Sequence, residues 1–165
     1  KAATPDMASL ADADKWILSK ANTLCKEVTE NLDKFEMGIA AQKIYDFIWE
    51  EFCDWYIEMV KPRLYGNDEA SKAAAIWTLR HVLTDALKLL HPYMPFVTEE
   101  IFCTLKEMEE NTADESIMIS AWPEYSDAFA FAAEEEREEE VEEPRAELSL
   151  DEMRAILKTG KSAGH

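Results

Sequence analysis

Apolar residues recur along this chain at steps of three and four, the spacing that lines one face of an α-helix. The first stripe is Trp16/Ile17, Ala21, Leu24, Val28 and Leu32. It predicts a helix that opens at the capping sequence Ser9-Leu10-Ala11-Asp12 and ends near Asp33. Lys15, Lys26, Glu27 and Glu30 take the opposite face, and Lys20 stands at the edge of the stripe. A second helix runs from about Glu36 to Val60 and carries two stripes. One is Ala40, Ile44, Ile48, Phe52, Trp55 and Met59; the other is Ala41, Tyr45, Trp49, Tyr56 and Val60. Two stripes need two neighbours, which makes this helix the centre of the fold. Asp54, inside the aromatic run, is either at solvent or a buried partner for a cation, and its phase off both stripes favours solvent. Pro62 ends the helix, because the residue before a proline leaves the α region.

Tyr65-Gly66-Asn67-Asp68 is the clearest turn signal in the chain. A third helix follows from about Glu69 to Leu90, with Ile76, Leu79, Leu83, Ala86 and Leu90 inward. His91-Pro92-Tyr93-Met94-Pro95 breaks the pattern, and Pro95 suits the first turn of a fourth helix. That helix reaches about Met108, with Val97, Ile101, Leu105 and Met108 inward. Asn111 to Ser116 is a polar loop, and Ile117 to Trp122 is a short extended apolar piece expected to cap one end of the bundle. A further helix is expected from Ser126 into an acidic extension, and Ser149-Leu150-Asp151-Glu152 is a second capping box opening a short helix. The residues from Thr159 to His165 read as a tail. Short connections make neighbouring helices antiparallel. The expected fold is therefore all-α: an antiparallel up-down bundle of four main helices with an additional C-terminal acidic helical segment. Its parts are a lead-in at 1–9, the bundle at 10–125, and the extension with its tail at 126–165.

Composition sharpens this picture. An apolar share of 47% in 165 residues supports one domain with a real core, and four glycines suit long helices with few turns. The net charge of -18 argues against general nucleic-acid binding, which needs Lys and Arg to displace counterions. Part of it is local: Glu134 to Glu143 holds eight Glu and one Arg, or -7, which leaves -11 for the rest. Cys25, Cys53 and Cys103 are odd in number and widely spaced, so three reduced thiols are expected, two or more of them buried, in a cytoplasmic protein. No apolar run is long enough to span a membrane, and none opens the chain as a signal peptide.

No catalytic constellation is visible. His81, His91 and His165 have no nucleophile beside them in a known motif. There is no Gly-rich phosphate loop, and the Glu-x-x-His of a carboxylate metal bundle is missing. The reading is no catalytic residue, no metal and no cofactor in this chain. One grouping could bind a ligand. Lys61, Arg63 and Tyr65 share a turn, and antiparallel packing brings that turn beside Lys15, Trp16 and Lys20 at the start of the first helix. Basic and aromatic residues together are what stacking on unpaired bases requires. A basic cap complementing the helix dipole would look the same.

Phe52-Cys53-Asp54-Trp55-Tyr56-Ile57-Glu58 followed by Lys61-Pro62 resembles the helical C-terminal region of valyl-tRNA synthetases. Ala11 to Lys20, His91 to Ile101 and Ser120-Ala121-Trp122-Pro123 are similar to three further landmarks of that family, in its order and spacing, so the resemblance covers about Leu10 to Tyr125. The run around His91 is shared with leucyl and isoleucyl relatives; the Phe-Cys-Asp-Trp-Tyr run points to the valyl branch. The resemblance implies an anticodon-binding helical bundle whose partners are a tRNA anticodon stem-loop and a catalytic domain of the same polypeptide. It also implies a non-catalytic monomeric module, with ATP used only by the full-length enzyme. The family's basic contacts match Lys20, with neighbouring Trp16, and the turn from Lys61 to Arg63. Beyond Tyr125 the family's Ile-Arg-x-x-Arg helix gives way to the glutamate block, with only Met153-Arg154-Ala155-Ile156-Leu157 faintly similar. Two rivals stand against this reading: an acidic helical interaction module that has lost RNA binding, and a carboxylate metal bundle.

Overall fold

A computed structural model describes residues 9–108 and 116–131. The expectations for the lead-in up to residue 8, the loop at 111–115, the glutamate block, the second capping box and the tail lie outside the described residues. Within them all regular structure is helical: α1 (Asp12–Asp33), α2 (Met37–Asp46), a π-helical segment (Phe47–Tyr56), α3 (Ile57–Leu64), α4 (Glu69–Leu90), α5 (Pro95–Met108) and two 3₁₀ turns, Ile117–Ile119 and Asp127–Phe129. The all-α expectation holds.

Helix α1 is capped two residues later than the expected box at Ser9. Ala11 is the cap residue, and the Asp14 carboxylate accepts its N–H at 3.1 Å. Asp12 and Asp14 also place negative charge at the positive end of the helix. The helix closes in a Schellman turn, with Glu36 N–H donating to Asn31 O at 2.8 Å and Phe35 N–H to Leu32 O at 3.0 Å. The left-handed position of that turn belongs to Phe35, at φ 60°. Helix α4 starts at Glu69, as expected, and the last residue of the expected turn caps it: Asp68 Oδ1 accepts from Ala70 and Ser71 N–H at 3.1 and 3.2 Å.

The second helix departs most from the periodic reading. Between Phe47 and Tyr56 its bonding widens from i→i−4 to i→i−5, and the segment hands over to α3 as Ile57 N–H reaches Phe52 O. The wider turn changes which residues share a face. The core side is Ala40, Ile44, Phe47, Phe52, Tyr56 and Val60. The two expected stripes therefore collapse into one, and Tyr45, Trp49 and Trp55 lie exposed at 57, 55 and 40%. Asp54 is at solvent, as expected. Pro62 does not end the helix, which continues to Leu64. An internal proline costs about 3 kcal/mol, and the anchoring of Arg63 described below offsets that cost.

Two other stripes shift. In α4 the fully buried positions include Ala75, Thr78, Val82, Ala86 and Leu89, while Ile76, Leu79, Leu83 and Leu90 are half-buried. In α5 Thr98 and Phe102 are buried and Leu105 packs inward as expected, while Val97 and Ile101 are exposed at 43 and 39%. Phe102 joins Leu87 and Ile117 in a small second core. The apolar piece after residue 116 begins beside the α4–α5 end, where Ile117 joins Leu87 and Phe102 and lines a cleft with Lys88, His91 and Pro92. It runs as a strap along the side of α1: Trp122 Nε1 donates to Thr29 Oγ1 at 2.9 Å, Ser126 and Asn22 exchange two hydrogen bonds at 2.8 and 2.9 Å, and Phe131 N–H reaches Ser19 Oγ at 3.1 Å. The helix expected from Ser126 is, within the described residues, only the turn Asp127–Phe129. Of the cysteines only Cys25 is buried; Cys53 and Cys103 are half-buried.

Candidate nucleic-acid interface

The start of α1, the end of α3 and the start of α4 meet around one carboxylate. Asp14 is fully buried. The Arg63 guanidinium grips it with both ends, Nη1 to Oδ1 and Nη2 to Oδ2, each at 2.8 Å. The Tyr56 hydroxyl donates to Oδ1 at 2.7 Å. The remaining Arg63 donors hold α4, with Nε to Ser71 Oγ at 2.8 Å and Nη2 to Ser71 O at 3.0 Å. Every partner of the carboxylate is thus a donor in good geometry, the condition under which a buried ion pair is tolerated. The Asp14 hydrogen bonds raise the Arg63 pKa above its ordinary value. Burial first, and then the Asp14 charge, push the Tyr56 phenol far above its usual range, so it stays a donor.

This hub separates the expected contact residues. Arg63 is committed to Asp14 and Ser71. Trp16 is 4% exposed, with its ring in the core instead of facing solvent. Lys61 remains at the surface, paired with Glu58. Tyr65, just beyond, is 88% exposed. Gly66 closes that turn against the helix end, where an added Cβ would lie 3.2 Å from Pro62 O.

Lys20 lies six residues beyond Asp14, roughly 9 Å along the helix axis at the α-helical rise. It lines a cleft of about 260 Å³ between α1 and the second helix, where Lys43 and the carboxylates of Glu27, Asp46 and Glu51 surround Leu24 and Phe47. Lys43 bonds Glu27 across it at 2.7 Å. The cleft therefore offers ammonium donors and carboxylate acceptors over the apolar floor of Leu24 and Phe47. Such a mixed, partly apolar lining suits an uncharged heterocycle with donor and acceptor edges better than a bare phosphate. The periodic reading missed Lys43 because nothing in sequence ties it to Lys20. Asp14 did carry a signal: a carboxylate three and four residues before Ile17 and Leu18, in phase with the buried face.

A second polar grouping deserves exclusion on chemical grounds. Cys25, His81 and Asp85 line one cavity of about 180 Å³ under the strap. His81 stacks on Trp77 at 4.9 Å and lies 5.2 Å from the Phe129 ring, with Nε2 3.6 Å from Asp85 Oδ2. Burial, aided by the Asp85 charge, pushes the Cys25 thiol up to about 12, so it holds its proton at neutral pH and is no nucleophile. Burial likewise raises Asp85. Among the described residues no group of three His, Cys, Asp or Glu is arranged to hold a metal ion, and no helix is long and apolar enough to cross a membrane.

Residues 14–164 match the family model described as the anticodon-binding domain of tRNA ligase. Similar proteins include the valine–tRNA ligase of Clostridium tetani, 50% identical over 144 residues, which is 87% of this chain and 15% of that protein. The valine–tRNA ligase of Clostridium perfringens is 57% identical over 117 residues, 71% of this chain and 13% of that protein. That of Staphylococcus carnosus is 47% identical over 123 residues, 74% of this chain and 14% of that protein. The chain thus spans about one seventh of the length of these curated relatives.

Proposed function

The chain belongs to the anticodon-binding domain family of tRNA ligases, and from that premise we propose that it is the module with which a valine–tRNA ligase grips the anticodon stem-loop of its tRNA. The observation that carries this reading is the family match over residues 14–164. Activation of valine with ATP, and its transfer to tRNA, then fall to a catalytic domain in the far larger part of the relatives that this chain does not span. The module itself acts as a monomer in the cytoplasm and carries no catalytic group.

In this reading Lys20 and Lys61 touch RNA directly. Lys20, with Lys43 opposite, offers donors to an unpaired base entering the cleft between α1 and the second helix. Lys61 meets the phosphate backbone at the end of α3. Trp16 and Arg63 serve the same site from inside, by packing under α1 and by fixing the turn that carries Lys61. The charge of -18 supports a small, local contact over broad electrostatic adhesion.

The test is a gel shift of the chain with a valine-type anticodon stem-loop across a salt series. Lys20→Ala and Lys61→Ala are expected each to weaken binding by about 1 kcal/mol or more with helicity unchanged. Lys61→Ala should also flatten the salt dependence by about one unit of slope, as loss of a phosphate contact does. Absence of binding at low salt by a folded chain overturns the reading.

A further inference from the structure

The widened turns of the second helix leave an outer face that nothing among the described residues covers. Tyr45 and Trp49 stand on it at 57 and 55% exposure, their rings 6.2 Å apart and tilted by 50°. Beside them Glu50 and Asp54 follow at a four-residue step, both exposed, while the same spacing reaches Asp46 on one side, which accepts from Gln42, and Glu58 on the other, which pairs with Lys61. In a regular α-helix, at 3.6 residues per turn, four-residue steps drift round the axis. Across and just after the i→i−5 segment the drift is offset, since Phe52, Tyr56 and Val60 all stay buried, and Glu50 and Asp54 therefore share the exposed side. The result is a short carboxylate row, Glu50 and Asp54, alongside an exposed aromatic pair, between the Lys20 cleft that Asp46 lines and the helix end where Glu58 pairs with Lys61.

That pairing selects a partner. Phosphates are repelled by the carboxylate row, so RNA held at the Lys20 cleft gains nothing here. An apolar segment would leave the carboxylates without a counter-charge. A guanidinium satisfies both features, since it stacks on Trp and Tyr faces and pairs with carboxylates through a planar fork. We propose that this face of the second helix, centred on Tyr45, Trp49, Glu50 and Asp54, docks an arginine-bearing segment of another protein surface. Lysine is the weaker occupant, because a compact, strongly hydrated ammonium does not stack as a guanidinium does.

The probe is a hexaarginine peptide, with hexalysine for comparison, titrated into the full 165-residue chain while indole fluorescence is followed. Hexaarginine is expected to bind about two- to fivefold tighter than hexalysine, the scale of an exposed cation–π contact. Trp49→Ala and Tyr45→Ala should remove that preference without altering helicity, since both side chains are largely exposed. The pair Glu50→Gln with Asp54→Asn should weaken both peptides, whereas Glu100→Gln with Glu107→Gln on α5 should change neither. Equal affinity for the two peptides, or indifference to Trp49→Ala, overturns the proposal and marks the binding as general attraction to an acidic protein. So does self-association that Trp49→Ala abolishes in light scattering, which would give the face to a second copy. Anticodon stem-loop RNA that loses affinity on Trp49→Ala would also overturn it.

Discussion

The Asp14 carboxylate shows how one buried charge joins three elements. It accepts from the N-terminus of α1, from Tyr56 and from Arg63, and Arg63 carries the connection on to α4. Its worth lies in completeness, since removing either charge leaves the other desolvated. Arg63→Ala is expected to cost about 3–5 kcal/mol in urea denaturation. The double change Asp14→Asn with Arg63→Met should cost less than Arg63→Ala alone, because no buried charge is then left without a partner. A double variant as unstable as the sum of the singles would mean the hub acts through packing and not through charge. The same logic explains why Arg63, apparently a surface cation by its place in a basic turn, is a structural residue supporting Lys61 and Tyr65.

At the scale of elements, the second helix decides both architecture and surface. Its composition marks it as central, and the core does close around Ala40, Ile44, Phe47, Phe52, Tyr56 and Val60. A 3.6-residue period places Tyr56 and Trp49 on one stripe; the π bonding separates them, burying the first and exposing the second. This register is open to direct measurement. Phe52→Ala is expected to cost about 3–5 kcal/mol, as emptying a core aromatic site does, and Trp49→Ala within about 0.5–1 kcal/mol. Comparable losses at the two positions would restore the two-stripe helix. The exposed aromatics bear on function too, because they are the raw material of the docking face.

For the whole molecule, the strap over α1 and α4 seals Cys25 in the main core, with its thiol pushed up to about 12. Its reaction with a maleimide at neutral pH should follow global unfolding, slowing with every stabilising condition, while Cys53 and Cys103 react faster. Labelling of Cys25 as fast as Cys53 would show that the strap opens without unfolding of the core. Sequence alone determined a good deal here: the helical class, the bounds of α4 and α5, the turn at Tyr65 to Asp68, and the family through landmarks from Ala11 to Pro123. These rest on local signals, on caps, prolines and apolar spacing that act within a few residues. It could not settle which side of each helix faces in, the burial of Trp16, the commitment of Arg63 to Asp14, or the meeting of Lys20 with Lys43. Those depend on residues up to 49 positions apart, as with Asp14 and Arg63. They depend also on a change of helical pitch that packing imposes, and no periodicity along the chain encodes it.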